Sequence, residues 1–80
     1  MSKYNETSSL DTKGLLCPMP VIKTQNQINT MSPGEILKVE ATDPGVLHDI
    51  PAWCRINGHK VLEQYQEDKI CYVYIEVLDN

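Results

Sequence analysis

The chain has 80 residues, 41% of them hydrophobic and 22% charged, with a net charge of −4. That is one domain at most, and a domain this short buries only about 60% of the surface its unfolded chain exposes, which leaves a thin core. The acidic balance argues against a general nucleic-acid binder, which must neutralise phosphates with Lys and Arg. No apolar run approaches the roughly 20 residues that span a bilayer, so membrane insertion is not expected either. Residues 1–9 are polar and lack the apolar stretch of a signal peptide. They are expected to form a flexible segment ahead of a single domain over 10–80, with the cytoplasm as the compartment.

Residues 8–12 (SSLDT) read as a short strand, and Gly14 permits a turn after it. Sharper punctuation comes at Cys17-Pro18. A proline fits the first helical position and pushes the residue before it toward extended geometry, which casts Cys17 as the N-cap of a helix. Val21, Thr24, Ile28 and Met31 then recur at helical spacing, and Ser32-Pro33-Gly34 ends the run.

Residues 35–41 alternate, with Leu37, Val39 and Ala41 on one face and Lys38 and Glu40 on the other, as in a half-buried strand. Asp43-Pro44 opens a second helix that carries Val46, Leu47, Ile50, Trp53, Cys54 and Ile56, and Gly58 is its natural stop. Pro51 falls inside this helix. Either the helix kinks there, or a first turn ends near His48 and Asp49 caps a second start. Residues 60–66 and 70–78 form two further strands joined by the polar turn Glu67-Asp68, as an antiparallel hairpin. The order βαβαββ is satisfied most economically by a two-layer α/β sandwich, a four-stranded mixed sheet with both helices on one face.

The charges are unevenly placed. Residues 12 to 34 contain no acid, while Lys13 and Lys23 both lie there, so this part is locally electropositive and the two lysines are candidate docking or electrostatic residues. Three cysteines without an export signal do not describe a disulfide framework. With no C-x-x-C, and no Cys at ligand spacing from His48 or His59, no metal site is expected.

Cys17-Pro18-Met19-Pro20 is the most informative segment. A thiol at the mouth of a helix meets the partial positive charge of the N-terminus, which favours the thiolate, and Lys13 and Lys23 would act in the same direction. Pro18 and Pro20 stiffen the platform and lack N–H groups, so Met19 is the donor expected in the first turn. These three residues are candidate site-shaping and anion-supporting positions around Cys17. A free cysteine is ordinarily buried and inert, but an N-cap position fixed by two prolines turns the side chain outward. Cys54 falls on the apolar face of the second helix and Cys71 on the covered side of the sheet, both as core residues. No nucleophile–histidine pairing, phosphate loop or dinucleotide fingerprint is present. Thiolate attack on a sulfur–sulfur bond needs only one activated, reachable thiol, so sulfur-to-sulfur transfer is the chemistry that fits. Tyr65, Tyr72 and Tyr74 could suggest a base-stacking sheet, but strand propensity and cross-strand pairing explain them more simply.

Taken together, these positions resemble the TusA/SirA family of sulfurtransferases. The likeness runs through Leu10-Asp11, Gly14, Cys17-Pro18-x-Pro20, Pro33-Gly34-Glu35, Asp43-Pro44, Asp49-Ile50-Pro51, Cys54 and Gly58-His59. The resemblance implies the same βαβαββ sandwich and casts Cys17 as the residue that carries a persulfide, with no cofactor beyond that covalent sulfur. It further implies a cysteine desulfurase or other persulfide donor, and a downstream acceptor protein. In such proteins the usual destination is thiolation of a tRNA wobble uridine. Related members serve molybdenum cofactor assembly or sulfur oxidation, and a few work with sulfur-compound importers. Met19 stands where the TusA-like branch often has Glu, a departure at the donor-contacting surface. From a different class, the same surface could serve a non-catalytic adaptor or a thiol redox sensor, which would need a resolving cysteine within reach of Cys17.

Overall fold

The computed structural model describes residues 5–16 and 18–78. Four strands and two helices follow in the order β1 (Ser8–Thr12), α1 (Met19–Ile28), β2 (Ile36–Ala41), α2 (Val46–Asn57), β3 (Lys60–Glu67) and β4 (Ile70–Glu76). The strands form one sheet in the order β1-β2-β4-β3, in which β1 and β2 are parallel and the other neighbours antiparallel. The expected two-layer α/β sandwich is thus the observed one. Pairing begins earlier than the domain start expected at residue 10. Ser8 and Ser9 already belong to β1, and the Thr7 N–H donates to the Ile36 carbonyl at 2.7 Å.

Alternation along the strands sorts the two faces of the sheet. Leu37, Val39 and Ala41 of β2 lie beside Ile75, Val73 and Cys71 of β4, all fully buried against the helices. From the helical layer, Ile28, Val46, Ile50 and Cys54 complete the core, with Leu10, Val21, Trp53 and Val61 packed around it. Pro20, Thr24 and Ile28 form the buried stripe of α1 at spacings of four, and Thr24 satisfies its buried hydroxyl by donating to the Pro20 carbonyl at 2.8 Å. Opposite the helices, Tyr65 and Tyr72 face each other across β3 and β4 and stack with ring centroids 4.9 Å apart. The Lys38 ammonium lies 5.3 Å from the centre of the Tyr72 ring. These tyrosines are engaged in cross-strand pairing, as strand chemistry predicts.

The second helix runs unbroken from Val46 to Asn57 with Pro51 inside it. A proline there lacks the N–H that would reach the carbonyl four residues back, at Leu47. That carbonyl instead accepts a hydrogen bond from the Gln64 Nε2 group of β3 at 3.0 Å. At the far end Gly58 takes the left-handed conformation, φ 80°, and its N–H and that of His59 both return to the Cys54 carbonyl. This is the stop the sequence marked, made of the residue that adopts this φ at least cost.

Candidate functional site

Because β1 and β2 run parallel, the loops leaving their C-terminal ends lie side by side, and each leads into a helix. Ligand and reaction sites of α/β sheets favour this edge. The first loop turns at Gly14, where φ is 85°, and the Leu15 N–H donates to the Thr12 carbonyl at 3.1 Å. The Gly14 N–H donates to the Thr42 hydroxyl of the second loop at 2.9 Å, which ties the two loops together. In that second loop Asp43 accepts the Gly45 N–H at 3.0 Å, and Val46 and Leu47 donate to the Asp43 and Pro44 carbonyls. Thr12 anchors the floor, fully buried, its hydroxyl donating to the Glu40 carbonyl at 2.7 Å.

Cys17, the sulfur expected to do the chemistry, lies outside the described residues. Pro18 is the N-cap of α1, with φ −92° and ψ 9°, and Met19 is the first helical residue. The helix therefore starts one position later than a cap at Cys17 would give, because Pro20 rather than Pro18 takes the place near the start where a missing N–H costs nothing. The Met19 N–H also has a partner. It donates to the Leu16 carbonyl at 2.9 Å, so the donor expected to face the sulfur is committed to the backbone. Pro20 is buried, a core anchor for the first turn of α1, while Pro18 and Met19 remain at the surface.

The two lysines differ. Lys13 lies 3.4 Å from a Glu40 carboxylate oxygen, and Lys38 reaches the other oxygen at 3.9 Å, so the Lys13 charge is partly neutralised through the β1–β2 register. Lys23 stands exposed on α1, whose first turn holds no acidic residue. A feature that periodicity did not flag is apolar. Leu16 is 75% exposed, and Met19 and Ile22 about two-fifths exposed at 40% and 42%. Their signal in the sequence was placement: Met19 and Ile22 fall off the buried stripe of α1, and Leu16 precedes the helix.

Cys54 and Cys71 are both fully buried. Burial pushes the Cys54 thiol up to about 12, and it raises that of Cys71 too, with the Asp43 carboxylate adding to the shift. Both stay protonated at neutral pH and are core residues, as expected. His59 stacks on Trp53 with ring centroids 5.6 Å apart, and its Nδ1 accepts the Leu78 N–H at 3.1 Å, which marks it as a structural residue of the α2 C-terminus. Among the described residues no group of three or more His, Cys, Asp or Glu could hold a metal ion, and no helix is long and apolar enough to cross a membrane.

Known proteins are similar to this chain in sequence and in fold. The family model described as sulfurtransferase TusA matches residues 8–77. YrkI of Bacillus subtilis is 45% identical over 67 residues, covering 84% of this chain and 89% of that protein. The sulfur carrier protein TusA of Pseudomonas aeruginosa is 46% identical over 65 residues, 81% of each chain. Among solved structures, a SirA-like protein from Desulfitobacterium hafniense superposes with a TM-score of 0.79 over 90% of this chain and 99% of that one; at 18% identity this bears on the fold alone. A match over nearly the whole sheet and both helices, with relatives above 40% identity, leaves one assignment: this chain belongs to the TusA family of sulfur carriers.

Proposed function

We propose that Cys17 accepts the outer sulfur of a protein persulfide and relays it to an acceptor thiol. Burial carries this reading. Of the three cysteines, Cys54 and Cys71 are sealed in the core as protonated thiols, which leaves Cys17 for exchange. Further support comes from the start of α1, whose partial positive charge meets no acidic side chain in the first turn and so favours an anion beside it.

In the forward step the Cys17 thiolate attacks the outer sulfur of the donor persulfide. A new S–S bond forms as the donor's breaks, and the donor's inner sulfur leaves with the electron pair as a thiolate. One sulfur–sulfur bond replaces another, so no external oxidant or reductant is consumed and no cofactor is required. Attack on the same outer sulfur by an acceptor thiolate then regenerates Cys17. A cysteine desulfurase suits the donor role. The acceptor is a second sulfur-carrying protein, and thiolation of tRNA uridine is the destination we favour.

Intact-mass measurement tests the reading. After incubation with a cysteine desulfurase and cysteine, the wild-type protein is expected to gain one sulfur atom that reductant removes, and Cys17→Ser to gain none. Sulfur accepted equally by Cys17→Ser would refute the assignment. Partner binding and biological activity fully retained by that variant would instead favour an adaptor.

A further inference from the structure

We infer that the edge strand β3 pairs with β3 of a second copy of this chain, antiparallel about a twofold axis at Gln64, joining the two sheets into one. An edge strand offers a row of backbone donors and acceptors to any other chain, and proteins that must stay apart shorten, charge, bulge or cover such edges. The two edges of this sheet differ. β1 is short, at five residues. β3 has eight, the most of any strand, contains no proline, and none of its residues is buried. Among the described residues its one strand neighbour is β4. It does carry a bulge: Val61 and Glu63 pair with successive residues of β4, Ile75 and Tyr74, so Leu62 is the extra residue.

That bulge selects a register. Residues directly opposite in an antiparallel pair share one face of the sheet. Lys60, Glu63, Tyr65 and Glu67 lie opposite Glu76, Tyr74, Tyr72 and Ile70, which alternate with the buried Cys71, Val73 and Ile75, so all four share the face away from the helices. Centred on Gln64, with Leu62 passed over, Tyr65 meets Glu63 of the second copy, Gln66 meets Val61, and Glu67 meets Lys60. Each residue thereby meets one from its own face, and the twofold axis repeats the Glu67–Lys60 contact at the other end of the seam. Neither Lys60 nor Glu67 is in an ion pair among the described residues. Arg55 strengthens the basic end, since with Lys60 it lines a groove of about 590 Å³ between α2 and the start of β3. The second copy brings Glu67 and Asp68 to that groove, with Lys69 beyond them in the turn toward β4. Charges at an edge repel a strand that does not match them, and here the matching strand is the chain's own, rotated. β1 stands at the opposite edge, so pairing through β3 leaves it uncovered.

Sedimentation equilibrium of the full chain, in reductant so that no disulfide can join two copies, tests the seam. From micromolar to millimolar concentration the mass is expected to rise from that of one 9.1 kDa chain toward twice that value. Glu67→Lys is expected to weaken the association at least about tenfold, because attraction becomes repulsion at both ends of the seam. The double swap Lys60→Glu/Glu67→Lys is expected to restore it to within about threefold, since each pair is again of opposite sign. Glu6→Lys, the same change of charge ahead of β1, is expected to leave it unaltered. As a check that needs no variant, the amide signals of Gln64 and Gln66 should move with protein concentration while those of β1 stay fixed. A chain that remains a monomer throughout would overturn the inference. So would a dimer indifferent to Glu67→Lys, a double swap that stays dissociated, or concentration-dependent signals in β1 instead of β3.

Discussion

Pro51 and Gln64 are thirteen residues apart in sequence, yet they complete one another: the first takes a donor away from the Leu47 carbonyl, and the second supplies one at 3.0 Å. Replacing Gln64 with Ala leaves that carbonyl without its partner from β3. A hydrogen bond of this kind contributes about 1 kcal/mol. For a domain of 80 residues that corresponds to a fall in Tm of roughly 4–8 °C. The same substitution made in a Pro51→Ala background should cost much less, because an alanine at that position regains the N–H that an unbroken helix directs at Leu47. The assay is a double-mutant cycle by urea unfolding, read through the fluorescence of Trp53, the chain's one tryptophan, which reports from α2 itself. We expect a coupling of about 0.5 kcal/mol or more. If Gln64→Ala cost the same in both backgrounds to within about 0.3 kcal/mol, the two residues would be independent and the compensation refuted.

Three further outcomes follow from the site and the core. Cys54 and Cys71 should resist alkylation in the native state at pH 8 and react only on unfolding, which mass spectrometry of labelled peptides can count. Because burial holds the native Cys54 thiol near 12 against an ordinary value of 9.0, only the unfolded chain releases that proton in between, so stability should fall as pH rises from about 9 to about 12; a denaturation midpoint flat across that range would contradict the burial argument. Thr42→Val removes the hydroxyl that accepts the Gly14 N–H and should cost about 1 kcal/mol or less. Its polysulfide loading rate should nevertheless fall a few-fold, since reaction rates follow the positioning of the reacting group; an unchanged rate would mean the tether between the loops does not govern the thiol.

Periodicity carried the architecture because the core is built from simple alternation. Leu37, Val39 and Ala41, and then Cys71, Val73 and Ile75, are buried at every second position, as their pattern implied. The helix stop at Gly58 was equally legible, since it depends on one residue's own conformational freedom. What escaped depends on distant partners. Pro18 and Pro20 each fit the start of a helix, and the choice between them rests on the burial of Pro20 in the core. The path through Pro51 hinged on Gln64, on another strand. Lys13 read as a candidate docking or electrostatic residue, and its pairing was hidden because Glu40 is brought to it only by the parallel register of β1 on β2. At the site, the motif singled out Cys17 as the candidate and the relatives supplied the family, while the exposure of Leu16, Met19 and Ile22 depends on how α1 packs on the sheet.

The sheet order also sets a hierarchy of persistence. β4 is bonded on both sides, by β2 and by the hairpin partner β3, whereas β1 stands at an edge and is held by β2 alone. Its five residues pair with a strand 29 positions away, a contact that forms only after a long loop has closed, while the hairpin closes locally. β1 is accordingly the element that opens first and returns last, and its amides should exchange with solvent ahead of those of β4. The loop that turns at Gly14 leaves directly from that strand, so opening at this edge of the sheet reaches the tether between Gly14 and Thr42 while the hairpin and α2 stay closed.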